Sequence, residues 1–357
     1  MPLVLVMAVG PGERLGALEV LDSARVFFER PYRVVVVDDS GEIGTWRALA
    51  RYSEVDILHN WRRRGLAGLL ASLQRAYRHV LTRYDFEAVL KVDTDALITG
   101  PGLDTDILAS LHGHPEVGMA GSRSWHPDWA RRLEENMPMW GPLIHQAEQH
   151  GYRRGESVFG GAYVLSRRCL AALDAGGFLR LTPSGPRIGE DVTLSLCVRS
   201  LGYELHNLGG PEQPFAMAWR ELPMPAREIL ALGKKVVHAV KFSPNDLASR
   251  AVFARARRRA VVPLRSGGLD GARTVALAHR TARLRGWLRW RAIGTQALRE
   301  DRPRRARRIF RRCIAIVPPN LEAWLGLAAS MLPGWLYRLL RLARVYGIRG
   351  LRGSRPR

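Results

Sequence analysis

The chain is poor in cysteine and has no long uninterrupted apolar run. Its 357 residues include only Cys169, Cys197 and Cys313, with no CxxC pair. A sparse, odd count argues against a disulfide framework and for a reducing compartment. The opening MPLVLVMAVGPGERLG lacks the basic start of a secretory signal, and its apolar run is too short to span a membrane. It reads as a first strand, and the protein is expected in the cytoplasm. Lysine is missing from residues 250–357, where 27 arginines face four acids, Asp270, Glu300, Asp301 and Glu322, a net +23. Residues 1–249 hold 28 basic and 29 acidic side chains, a net −1, so the formal +22 of the chain belongs to its tail. Two pieces of different character are joined. We expect a near-neutral globular domain over 1–248 and a basic, largely helical region over 249–357. With 46% hydrophobic and 25% charged residues the chain can build a sizeable core, which excludes a disordered composition.

In the neutral part, short β-branched apolar runs alternate with helical periodicity. LVLVMAV (3–9), YRVVVVDD (32–39), VDILHN (55–60) and FEAVLKV (86–92) read as strands. Arg14–Glu29 and the stretch GLLASLQRAYRHVLTRY have apolar residues at helical spacing. This order predicts an α/β fold with a doubly wound, mostly parallel sheet. Further on, strands are expected at 117–122, 156–166, 203–208 and 235–242, and helices at 128–150 and 190–202.

The DTD of LKVDTDALITG follows an apolar strand directly and is followed by more apolar sequence. One reading is an Asp that caps a turn beside a solvated surface charge. The other is a site: Asp93 and Asp95 would repel each other where water is scarce unless a cation lies between them. Paired hard oxygen ligands suit Mg²⁺ or Mn²⁺ shared with phosphate oxygens. Ligands bind beyond the carboxyl ends of strands in such sheets, and DD (38–39) ends a strand as well.

Taken in order, YRVVVVDDSGE, HNWRRRGLAG, EAVLKVDTDALI, VFGGAYVLSRRCLAAL and GEDVTLSLCVRSLGY resemble the successive landmarks of GT-A fold (Rossmann-like) glycosyltransferases, notably the inverting family 2. The resemblance covers roughly residues 2–245. It implies transfer of a sugar from a nucleotide-diphosphate donor, with a divalent cation, Mn²⁺ or Mg²⁺, as cofactor. Asp39, or Asp38, would contact the base or ribose, and Lys91 would help to position the nucleotide. Asp93 would lie toward ribose and metal, with Asp95 the main metal ligand and His238 a third. Gly160 and Gly161 would line the sugars, and Asp191 would be the general base. His238 also reads as a satisfied core histidine, and Glu190–Asp191 as charge at a helix start. Trp125, Trp140 and Trp219 suit either sugar stacking or packing. The sequence departs from the family in VGPGERLG after the first strand and in lacking the Gln-X-X-Arg-Trp element of processive synthases, so a single-addition enzyme is expected.

The tail has apolar positions at helical spacing with Arg opposite, and PGWLYRLLRLARVYGIRGLRG is a basic amphipathic segment. Such a helix suits an anionic membrane surface, which would place the enzyme at the inner face of the plasma membrane with a saccharide or lipid-linked acceptor. The competing reading is a helical hairpin packed on the catalytic domain. Nucleic acid is not an expected partner, because no nucleic-acid module accompanies the arginines. Two other functions fit less of the chain: a nucleotidyltransferase acting on a sugar phosphate, and a non-catalytic membrane or nucleic-acid adaptor.

Overall fold

The first strand is apolar at every position because it is covered on both faces. Leu3, Leu5, Met7 and Val9 enter one core and Val4 and Val6 the other, the period-2 alternation of a strand between two layers. The computed structural model describes residues 1–60, 68–181, 188–241 and 244–261, and its first compact unit spans Met1–Val262. The elements in chain order are β1 (Leu3–Val9), α1 (Arg14–Phe27), β2 (Tyr32–Asp38), α2 (Ile43–Leu49), β3 (Val55–His59), α3 (Leu69–Arg83), β4 (Ala88–Val92) and β5 (Leu97–Ile98). There follow α4 (Leu103–Gly113), β6 (Val117–Trp125), α5 (Pro127–Glu135), α6 (Met137–Gln149), β7 (Glu156–Ser166) and α7 (Arg167–Ala175). The last are α8 (Glu190–Ser200), β8 (Glu204–Asn207), β9 (Phe215–Met217), α9 (Ala226–Ala231), β10 (Val236–His238) and α10 (Pro244–Val261).

Seven strands form one sheet in the order β3-β2-β1-β4-β7-β6-β8. β7 is antiparallel to both β4 and β6, and the other neighbours are parallel. Chain order reverses between β1 and β4, which opens a crevice at their carboxyl ends. The DTD follows β4 there. A small sheet, β5-β10-β9, crosses the same end and carries His238 to it.

The α/β class and the mostly parallel sheet agree with the sequence reading. The expected single helix over 128–150 is two: Pro138 lies in the first turn of α6, where its missing N–H is tolerated. Asn136, whose amide donates to Arg132 O at 2.6 Å, ends α5. α10 crosses position 248, where the sequence reading divided the chain. Its Arg250 binds the Glu19 carboxylate on α1 and Val240 O, and Nε donates to Lys241 O at 3.0 Å. Val240 N in turn donates to Asp95 O at 2.7 Å, so α10 holds the segment that braces the DTD turn. Among the described residues no helix is long and apolar enough to cross a membrane. The Arg-rich segments from 262 onward lie outside the described residues.

Candidate metal and acid–base site

The DTD is a tight turn that points two carboxylates outward. Asp93 N donates to Gly161 O at 2.9 Å, and Ala96 N donates back to Asp93 O at 3.0 Å. Between them, the Thr94 hydroxyl donates to Glu13 Oε2 at 3.0 Å. α1 seats against this turn through Gly16, where a Cβ would stand 2.0 Å from Thr94 O. His238 ends β10 with Nε2 3.0 Å from Asp95 Oδ1 and 3.9 Å from Asp93 Oδ2. One ligand atom from each of Asp93, Asp95 and His238 lies within 4.8 Å of the others.

Two observations fit this trio to a divalent cation. The first is the donor set of two carboxylate oxygens and one imidazole, which suits Mn²⁺ or Mg²⁺ completed by phosphate and water. The second is the orientation of the ring, whose Nδ1 lies 2.8 Å from Ala218 O. A proton on Nδ1 donated to that carbonyl leaves Nε2 facing the carboxylates, the arrangement that fixes metal-binding histidines. Without a cation the electrostatics are tense. Burial pushes the Asp93 carboxyl above its ordinary range against the pull of Lys91. Burial also acts to lower the His238 pKa, but the Asp95 hydrogen bond and charge outweigh it and raise it.

The glycine pair is occupied by the protein itself. A Cβ at Gly161 would stand 2.4 Å from His238 Cγ, and one at Gly160 would stand 2.9 Å from Glu190 Oε1 and 3.1 Å from Asp191 Oδ2. The missing side chains thus admit the imidazole and the acidic pair. Gly161→Ala is expected to displace His238 and weaken Mn²⁺ binding about 10–100-fold, the range typical for mispositioned ligands. Circular dichroism should remain native, and Mn²⁺ titration followed by electron paramagnetic resonance reads the change.

Lys91 sits beneath both acids with 0% of its side chain exposed. Its ammonium lies 2.6 Å from Asp93 Oδ1 and 3.3 Å from Glu190 Oε1, and it donates to Gly160 O. Burial disfavours this charge, but Asp93 and Glu190 more than offset it and raise the pKa. All three protons point at protein oxygens, so Lys91 is an internal counter-ion whose ammonium orders the Asp93 and Glu190 carboxylates. Lys91→Met leaves two carboxylates without their cation and is expected to cost about 3 kcal/mol, read as a lowered urea midpoint.

Asp191 lies in the first turn of α8, where helix N–H groups favour an anion. Its Oδ1 accepts from Val192 N at 2.9 Å and its Oδ2 from Gly160 N at 3.0 Å. Burial, followed by the charge of Glu190, nevertheless pushes the carboxyl up to about 7. A carboxylate in this range is matched to proton abstraction near neutral pH. The structure therefore brings Lys91, Asp93, Asp95, Gly160, Gly161, Asp191 and His238 to one place, with Gly160–Gly161 between the Asp93, Asp95 and His238 trio and Asp191.

Asp39 stands apart, at the end of β2 and two strands from β4. It is buried, and its N–H donates to Val9 O at 2.9 Å. Asp38 accepts from Ser40 N at 3.0 Å and lies 3.4 Å from His59 Nδ1. Trp140 is 7% exposed and belongs to a core with Leu133 and Ile144, which makes it a packing residue. Trp125 is exposed but engaged, donating to Arg154 O with Arg153 over its ring. Glu190 as the partner of Lys91, Ala218 O and Trp129 were not apparent in the sequence. Only Glu190 carried a signal, its place next to Asp191.

No family model matches the chain, and no curated protein matches it in sequence. Among solved structures, one likeness is to the mannosyltransferase PcManGT from Pyrobaculum calidifontis in complex with GDP-Man and Mn²⁺. The match is at 17% identity over 97% of this chain and 84% of that one, with a TM-score of 0.40. The bifunctional glycosyltransferase WbbM matches at 10% identity over 72% of this chain and 49% of its own, TM-score 0.44. The galactosyltransferase LgtC, in complex with donor and acceptor sugar analogues, matches at 10% identity over 72% and 95%, TM-score 0.40. At such identities and TM-scores, the chemistry of this chain rests on its own residues.

Proposed function

We propose that the chain is a metal-dependent, inverting glycosyltransferase that uses a nucleotide-diphosphate sugar. The observation that carries this reading is the separation of tasks around Gly160–Gly161. The trio of Asp93, Asp95 and His238, suited to a cation, lies on one side, and Asp191, pushed up to about 7 beside Glu190, lies on the other. The landmark motifs of GT-A enzymes fall on these same residues. A bound Mn²⁺ or Mg²⁺ would supply charge stabilisation to the departing diphosphate. Asp191 takes the proton of the acceptor hydroxyl as its oxygen attacks the anomeric carbon from the face opposite the nucleotide. Lys91 holds Asp93 and Glu190 in place, and Asp39, at the carboxyl end of β2, would meet base or ribose. We propose that the Arg-rich region beyond α10 serves an acceptor at an anionic membrane surface.

The nucleotidyltransferase reading needs an open phosphate loop after β1. That loop is instead closed on itself, because Glu13 Oε2 accepts from Gly10 N at 2.8 Å and from Thr94. An acid occupies the place where phosphate would need basic groups and free N–H donors. The test is product analysis. Nucleoside diphosphate should be released from at least one of a panel of UDP-, GDP- and dTDP-sugars, only with Mn²⁺ or Mg²⁺. Pyrophosphate from a sugar phosphate plus nucleoside triphosphate would favour the rival instead.

A further inference from the structure

Trp129 on α5 and Trp219 after β9 come from distant parts of the sequence and meet as a near-parallel pair, ring centroids 6.3 Å apart at 12°. Trp129 is partly buried against the Leu133 and Trp140 core with Arg132 over its ring, 5.0 Å from the centroid, while Trp219 keeps 61% of its surface exposed, so the open face of the pair is offered mainly by Trp219. Both rings belong to the rim of the site. A Cβ at Gly189 would stand 2.4 Å from Asp191 Oδ1 and 3.9 Å from Trp129 Cη2, so the ring and the carboxylate flank the same point. Trp219 directly follows Ala218, whose carbonyl oxygen lies 2.8 Å from His238 Nδ1. The pair thus borders the base and the metal trio together.

We propose that Trp129 and Trp219 form a stacking subsite for a pyranose ring of the acceptor saccharide. The assignment rests on the glycosyltransferase reading for the word acceptor, but the subsite itself is a binding claim. A pyranose presents a face of C–H groups with slight positive charge, and the faces of indole rings are negative. Stacking fixes the ring while leaving its hydroxyls free to point elsewhere. Here one hydroxyl is directed at Asp191, which must reach the attacking oxygen. A nucleobase would also stack, but the acid expected to read the base, Asp39, lies at the other side of the crevice, on β2.

The experiment uses full-length protein labelled with 5-fluorotryptophan. Trp129→Phe and Trp219→Phe assign the two ¹⁹F resonances. Methyl glycosides of glucose, galactose, mannose and N-acetylglucosamine are added at tens of millimolar. At least one should shift both resonances together and saturably, leaving those of the exposed Trp46 and Trp125 in place. In Trp219→Ala the same glycoside should bind about fivefold more weakly by the Trp129 signal. The proposal is overturned if no glycoside moves the pair or if Trp46 and Trp125 respond equally. It also fails if UDP or GDP moves the pair and glycosides add nothing. A Mn²⁺ titration of the same sample keeps the two readings apart. Broadening at Trp219 without any glycoside response sinks the subsite alone, and no Mn²⁺ response with a glycoside shift leaves the subsite standing and counts against the metal-dependent enzyme.

Discussion

Asp95→Ala is expected to weaken Mn²⁺ binding by at least about 100-fold and to abolish cation-dependent cleavage of a nucleotide sugar. The trio loses the carboxylate 3.0 Å from His238 Nε2, and even partners behind a ligand are worth about 10–100-fold. The fold should survive. The backbone carbonyl that braces Val240 is untouched, and the variant removes one of two like charges from a poorly solvated turn. Burial raises the Asp95 pKa, but the hydrogen bond and charge of His238 outweigh it and leave the carboxyl below its usual range, so it is ionised and ready for a cation at neutral pH. Titration followed by electron paramagnetic resonance, with thermal melting as the control, separates loss of the site from loss of the fold.

Asp191→Asn is expected to lower kcat about 10²–10⁴-fold with little change in the donor KM, the usual contribution of a general base. Its pH behaviour supplies a second reading. With the carboxyl pushed up to about 7, wild-type kcat/KM should climb through an acidic limb near pH 7, and the variant should lack that limb. Stability carries the opposite slope. A carboxyl raised from 3.8 to about 7 binds a proton in the folded state where the unfolded chain does not. Its contribution is therefore complete below about pH 4 and is lost as pH rises through about 7. The shift corresponds to about 4 kcal/mol at most. Melting curves of wild type and Asp191→Asn across this range should differ in slope, with the wild type falling more steeply. Equal slopes would mean that Asp191 is an ordinary surface acid.

The layered fold was readable because β1 and β2 are continuous apolar runs and α1 and α3 have apolar faces at helical spacing. Asp93 and Asp95 stood out in the sequence because paired charge at the end of a buried strand is a local pattern, whereas Asp191 was named only through the resemblance. The remaining parts of the site depend on contacts across the chain that no local pattern encodes. Gly161 meets His238 from a strand 77 positions earlier in the numbering, and nothing around either residue announces the other. Lys91 entered the sequence reading only through the resemblance, as a residue that helps to position the nucleotide. Its partner Glu190 is 99 residues away, and only their pairing reveals an internal counter-ion. The break at Asn136 and Pro138 was missed for a different reason, since the apolar spacing continues across it and proline is compatible with a first helical turn.

The proposed site turns on a divalent cation that joins Asp93 and Asp95. The most direct measurement is Mn²⁺ binding to the full-length protein by electron paramagnetic resonance, with GDP or UDP present, for wild type and Asp95→Ala. The account predicts one saturable site in the wild type, strengthened by the nucleotide and lost in the variant. Indistinguishable titrations of the two proteins, or no saturable binding in either, would contradict it.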